Sequence, residues 1–206
     1  MVTGAALVFL TSLAASVPPM TAPLDASLLT EAWRRARDHQ PFFCEENVLR
    51  LLTSGALPEP SAAVFVTNAQ RCVPMWGQRA AISDPIEWDY HVTALLPQHG
   101  LVVDLDDRTQ VARPIKAWLE HAFRRDTPPQ RQPRFRIVPR ADLLATFSSD
   151  RSHMRNDQGQ PLRPFPSWPA PLQPQLGHTL MRFLDLDDDI AGVVTEAAGL
   201  AAFRCR

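Results

Sequence analysis

The sequence predicts an α+β domain. Three observations carry that expectation. Apolar residues fall at helical spacing through residues 27–53. The middle of the chain then turns to short continuous or alternating apolar runs. Helical spacing returns from residue 114 onward. Helices first, then consecutive strands, then helices again, give an antiparallel sheet with helices packed on it rather than an alternating parallel one.

Each element has a local reason. Asp25 and Ser27 offer N-caps to a helix over residues 27–39, which Pro41 stops. A second helix covers residues 43–53, with Val48, Leu49, Leu51 and Leu52 on its apolar side and Gly55 ending it. Residues 62–66 are continuously apolar, as in a strand covered on both faces. Residues 73–78 give a shorter strand. Residues 88–96 alternate, and residues 101–105 pair with them across a turn at Gln98-His99-Gly100. Pro114 opens a helix reaching about residue 125. A strand over 135–138 and a short helix over 140–147 follow. Residues 158–174 are Pro-rich, with one Phe and one Trp, and read as a long packed loop. Helices at 180–183 and 190–203 close the chain, with Val193-Val194-Thr195 as an alternative strand.

With 206 residues the chain holds one domain with a sizeable core. Residues 20–206 are assigned to that domain. Residues 1–19 contain an apolar run, but no Lys or Arg occurs before Arg34, so a basic signal-peptide head is missing. That segment reads as a disordered extension or a start misplaced upstream of Met20, with a cleaved export signal as the alternative. The formal net charge of −1 favours neither nucleic acid nor an anionic membrane. The three cysteines, Cys44, Cys72 and Cys205, are too few and too odd for a disulfide framework, which points to a reducing cytoplasm. No CxxC, HExxH or Gly-rich phosphate loop is present, and Asp187-Asp188-Asp189 lacks the Gly and Glu of a calcium loop. Neither a metal nor a cofactor is expected. Nothing in the pattern demands an obligate interface, so a monomer is expected.

The chemistry is carried by Cys44, His91 and Asp104. Cys44 stands at the start of a helix, where the dipole would favour a thiolate. His91 and Asp104 lie on runs that can pair as a hairpin and bring both side chains to one face. Chain order Cys, His, Asp, with the thiol on a helix and the other two on neighbouring strands, is the layout of a papain-like or transglutaminase-like thiol acyltransferase. His153 is a rival base, and Asp106 and Asp107 are rival carboxylates.

Several blocks are more specific. They are Cys44-Glu45-Glu46-Asn47, Trp88-Asp89-Tyr90-His91-Val92, Asp104-Leu105-Asp106, Phe135-Arg136, and the run from Phe147 to Met154. In this order they resemble the protein N-terminal glutamine amidohydrolase family. The resemblance implies a papain- or transglutaminase-like fold, no cofactor, and hydrolysis of the side-chain amide of N-terminal glutamine in proteins or peptides. It places the nucleophile at Cys44, the base at His91 and the orienting acid at Asp104. It also implies a role in N-degron processing. Specificity for a chain terminus needs a group for the α-ammonium. Glu45, Glu46 and Asp150 are candidates for it, and Tyr90 is a further candidate for contact with substrate. A cysteine peptidase, a transglutaminase and a non-catalytic N-terminal-residue binding module are the competing readings.

Overall fold

The computed structural model describes residues 24–204. The expectations for residues 1–19 and for Cys205 lie outside that range. The elements are α1 (Glu31–Arg35), α2 (Cys44–Thr53), β1 (Ala62–Thr67), β2 (Val73–Met75), β3 (Ile86–Trp88), β4 (His91–Leu96), β5 (Leu101–Val103) and β6 (Ala112–Pro114), followed by α3 (Ile115–Ala122), β7 (Arg134–Pro139), α4 (Arg140–Thr146), α5 (Leu180–Leu184), β8 (Val193–Thr195) and α6 (Ala197–Ala202). The α+β class is borne out.

Six strands form one antiparallel sheet in the order β6-β5-β4-β1-β7-β8. β1 lies inside it and is buried along its whole length. Successive side chains alternate between faces. Ala63 and Phe65 therefore join one apolar layer, with Val48, Leu51 and Leu52 of α2, Leu143 of α4 and Phe183 of α5. Val64 and Val66 join the other, with Trp118 of α3, Leu200 of α6 and Met75 of β2. The continuous apolar run of β1 reflects this double cover. Phe65 stacks on Phe183 at 4.9 Å between ring centroids.

Four departures from the expected elements bear on the architecture. The first helix is broken. Asp25 caps a single 3-10 turn by accepting from the Ser27 N–H, and Thr30 then caps α1 by accepting from the Trp33 N–H. Two caps five residues apart start two short helices where periodicity alone suggests one. The second departure is the run 88–96. Asp89 and Tyr90 interrupt it, so that β3 pairs with β2 in a separate two-stranded sheet while β4 belongs to the main one. Thirdly, α3 stops at Ala122 because Phe123 turns to extended geometry and packs edge-on against Trp118 and Phe135. Fourthly, Val193-Val194-Thr195 is strand β8 against β7, as β-branched residues favour. The Pro-rich segment contains no helix or strand, as expected.

Arg136 ties the end of the chain to the sheet. Its buried guanidinium donates to the carbonyls of Phe183, Asp185, Asp188 and Ala191 at 2.5–3.0 Å. Burial pulls its pKa down from the ordinary Arg value, opposed by Asp188 and Asp185. Arg136→Met leaves those carbonyls without their donor and should lower unfolding stability by at least about 2 kcal/mol. Urea denaturation reads this directly, and an unchanged midpoint would show that the carbonyls find other donors.

Candidate active site

The approach to α2 is fixed before the helix begins. Phe42 takes a left-handed backbone (φ 70), uncommon for a residue with a side chain. The Asn47 side chain donates to the Gln40 carbonyl and accepts from the Gln40 N–H, both at 2.9 Å. This clamp sets Cys44 as the first residue of α2, with no side-chain cap at Phe43. The N–H groups of that first turn have no intrahelical acceptor and point out of the helix end. α2 packs on β4, which begins at His91.

His91 and Asp104 form a fully buried pair. His91 Nε2 lies 3.0 Å from Asp104 Oδ1. The ladder between β4 and β5 ends at Ala94 and Val103, and Asp104 stands one residue past it. Three more donors hold the carboxylate: the Asp106 N–H at 3.0 Å, Trp118 Nε1 at 3.2 Å and Gln78 Nε2 at 3.3 Å. Gly77 makes the turn that delivers Gln78. It has φ +70, and a Cβ there would collide with the His121 ring. Because Nε2 faces a carboxylate it carries the proton, which leaves the lone pair on Nδ1. Nδ1 is buried and has no hydrogen-bond partner among the described residues.

The rival groups are engaged elsewhere. Asp106 is bonded to His39 at 2.9 Å. Asp107 accepts from the Thr109 and Gln110 N–H groups and from Arg113. His153 lies 3.3 Å from the Tyr90 hydroxyl and 3.4 Å from Glu45. Among the described residues, one group could geometrically hold a metal ion: His91, Asp104 and Asp106, with ligand atoms within 4.8 Å of one another. The contacts to Asp104 all come from hydrogen-bond donors, so a cation there would have to displace them.

Burial opposes charge on His91, yet the Asp104 carboxylate and its hydrogen bond outweigh it, and the imidazole titrates above its ordinary value. Burial likewise pushes Asp104 up, but the His91 charge and the converging donors bring it below the usual carboxylate range. The sulfur behaves differently from the helix-dipole expectation. Burial pushes the Cys44 thiol well up, and the charges of Glu45, Asp106 and Asp89 push it further. The Val92 N–H pulls the other way without overcoming them. Glu45 Oε2 sits 3.7 Å from Sγ, so a carboxylate in the first turn cancels what the helix start supplies.

Cys44 opens into a cleft of about 570 Å³. Phe42, Trp88, Asp89, Tyr90, His153 and Arg163 are among the groups that line it. Trp88 is half-buried in the cleft wall and stacks on His91 at 5.9 Å between ring centroids. Its strand belongs to the small sheet. Tyr90 donates to Glu45 Oε2 at 3.0 Å, and burial keeps its hydroxyl neutral. Glu46 and Asp150, offered to the substrate by the sequence, do not line this cleft. Both Glu46 oxygens are taken by Arg151 at 2.6 and 2.7 Å, and Trp168 Nε1 adds a third bond at 2.7 Å. Asp150 accepts from the Ser152 N–H and pairs with His178. Gln78, Trp118 and Trp168 carried no signal in the sequence, because their partners lie far away along the chain.

His91 stabilises the fold below its unfolded pKa and loses that contribution as pH rises through its raised folded value. Asp104 contributes above its unfolded pKa and loses it as pH falls through its lowered folded value. The pair is therefore strongest between the two ordinary values. Asp104→Asn removes the charge but keeps the burial, so His91 should titrate below an ordinary histidine. NMR of the ring protons measures this, and an unshifted titration would place the imidazole under other control.

Comparison with known proteins adds an independent line. A family described as N-terminal glutamine amidase matches residues 39–203. A protein N-terminal glutamine amidohydrolase of Bos taurus is 31% identical over 188 residues, covering 86% of each chain. Proteins of the same description from Drosophila willistoni and Drosophila grimshawi are 38% and 36% identical over 154 residues, covering 69% of this chain and 75% of theirs. The matched span contains the thiol, the imidazole and the carboxylate, and the chain belongs to the N-terminal glutamine amidase family.

Proposed function

We propose that this protein hydrolyses the side-chain amide of an N-terminal glutamine in peptides or proteins, releasing ammonia and leaving N-terminal glutamate, through a thioester on Cys44. Family membership supports the reaction. One observation carries the mechanism: a buried imidazole with Nε2 fixed to a carboxylate and Nδ1 unsatisfied, on the strand that packs against a thiol at a helix start. We also read the fold as papain- or transglutaminase-like, since the thiol-bearing helix lies on an antiparallel sheet that carries the base.

In this reading the resting pair is neutral. A thiol pushed up by burial keeps its proton until substrate arrives, so Nδ1 of His91 takes the proton as sulfur attacks the side-chain carbonyl carbon. The N–H groups at the start of α2 stabilise the oxyanion. The imidazolium, held by Asp104, returns the proton to the departing nitrogen, and ammonia leaves. Water then gives a proton to Nδ1 and attacks the thioester. The carboxylate product forms, and the sulfur recovers its proton. Asp104 stays ionised throughout and holds the tautomer. Every group named comes from one chain, so we assign a monomer as the working unit. The need for a free thiol fits a cytoplasmic setting. No helix among the described residues is long and apolar enough to cross a membrane.

Peptides beginning with Gln, Asn and acetyl-Gln test the reading by ammonia release and mass. Gln peptides should gain the mass of an amide-to-acid conversion, whereas chain cleavage or cross-linking would identify a peptidase or transglutaminase instead. Cys44→Ala should abolish ammonia release while leaving the fold intact, and persistent turnover would remove Cys44 from the mechanism. Asp104→Asn should slow turnover by about 10²–10⁴-fold. A larger loss in Asp106→Asn would transfer the orienting role to Asp106.

A further inference from the structure

Recognition of a chain terminus needs an anion within reach of both the cleft and the sulfur. Glu46 is saturated by Arg151 and Trp168. Asp150 is paired with His178 outside the cleft. Asp106 is buried against His39. Glu45 lies in the core behind Tyr90, which donates to it, and does not line the cleft.

Asp89 is different. It is exposed, it lines the same cleft as Cys44, and it supplies the only carboxylate among the lining residues. One oxygen, Oδ1, accepts from the Tyr90 N–H at 2.9 Å, which fixes the side chain's direction. Its carbonyl accepts from Thr67 Oγ1 at 2.8 Å, so the backbone is fixed as well. Among the described residues no ion pair occupies it, although Arg71 and Arg163 stand in the same cleft. The residue sits where β3 and β4 part, two positions before His91. The interruption that splits the expected long strand is what turns this carboxylate into the cleft.

Resting on the deamidase reading above, we infer that Asp89 is the seat of the substrate's α-ammonium group and so decides that only a free N-terminal glutamine is processed. Oδ1 stays bonded to the backbone, and Oδ2 is the oxygen that meets the cation. A second effect follows from the same contact. The negative field of Asp89 disfavours a thiolate at Cys44. A bound ammonium neutralises that field just as the amide carbon arrives at sulfur. The free amine would thus contribute to turnover as well as to binding. This matches a site whose sulfur is otherwise held in its protonated form.

Asp89→Asn keeps the acceptor for the Tyr90 N–H and removes only the charge. The experiment compares kcat/KM for a Gln peptide with that for its des-amino counterpart, in which the terminal nitrogen is absent. The unmodified protein should prefer the Gln peptide strongly. In Asp89→Asn, kcat/KM for the Gln peptide should fall about 10- to 100-fold, as for loss of a charged hydrogen bond, while the des-amino rate stays level or rises. Asp89→Ser, should the first variant fold poorly, should show the same collapse of preference. Asp89→Glu should recover part of it. A preserved preference in a folded Asp89→Asn or Asp89→Ser protein overturns the assignment of Asp89 while leaving the deamidase reading intact. Absence of ammonia release from every Gln peptide by the unmodified protein overturns the deamidase reading and this assignment with it.

Discussion

A carboxylate sealed inside the protein against an imidazole is the constraint from which the rest follows. His91 and Asp104 are both almost fully inaccessible, and a buried carboxylate is tolerated only when hydrogen bonds satisfy its lone pairs. Those bonds come from four directions: a turn N–H, a Gln beyond a tight glycine turn, a Trp from α3 and the imidazole itself. The sheet supplies the platform. β4 leaves its β5 partner where the pair begins, so neither side chain needs to bend out of a strand to reach the other.

The second organising contact is the fork between Glu46 and Arg151. It bolts the Cys44 helix to a segment 105 positions later and, through Trp168, to the Pro-rich loop. Arg151 adopts a left-handed backbone to make it. Such strain persists where surrounding bonds over-determine the conformation, and a bidentate buried pair does so. The residue beside it in sequence, Glu45, has the opposite character. Among the described residues its Oε1 accepts no hydrogen bond and has only His153 Nε2 near it, at 3.4 Å, and it raises the thiol's affinity for its proton. Two adjacent acids thus divide between holding the architecture and tuning the sulfur.

Much of this was legible in the sequence, and the reasons differ by element. Double-faced burial of β1 could be read from its unbroken apolar run, and the β4–β5 hairpin from alternation and a Gly turn. The candidate triad could be read because a thiol at a helix start, and an imidazole and a carboxylate on the two arms of that hairpin, are local patterns. The break at Asp89-Tyr90 could not. Alternation continues through it, and only pairing with β2 and the Asp89 side-chain bond to the next N–H end the ladder there. The sulfur's resistance to ionisation was hidden as well. A helix start favours a thiolate in isolation, whereas burial and three carboxylates gathered by the fold decide otherwise. The roles of Glu46, Gln78, Trp118 and Trp168 rest on contacts across long stretches of chain, which no local pattern encodes.

Trp118 belongs to two neighbourhoods at once. Its ring is wedged among Phe123 and Phe135 on the face of the sheet away from α2, and its indole nitrogen grips the acid behind the imidazole. The layer that looks like inert filler is therefore not free to drift. A change of volume at Phe123 or Phe135 would tilt the indole, and the tilt would be felt as a misaimed imidazole on the same face of the sheet. Divergence among relatives should accordingly be slow in that remote layer.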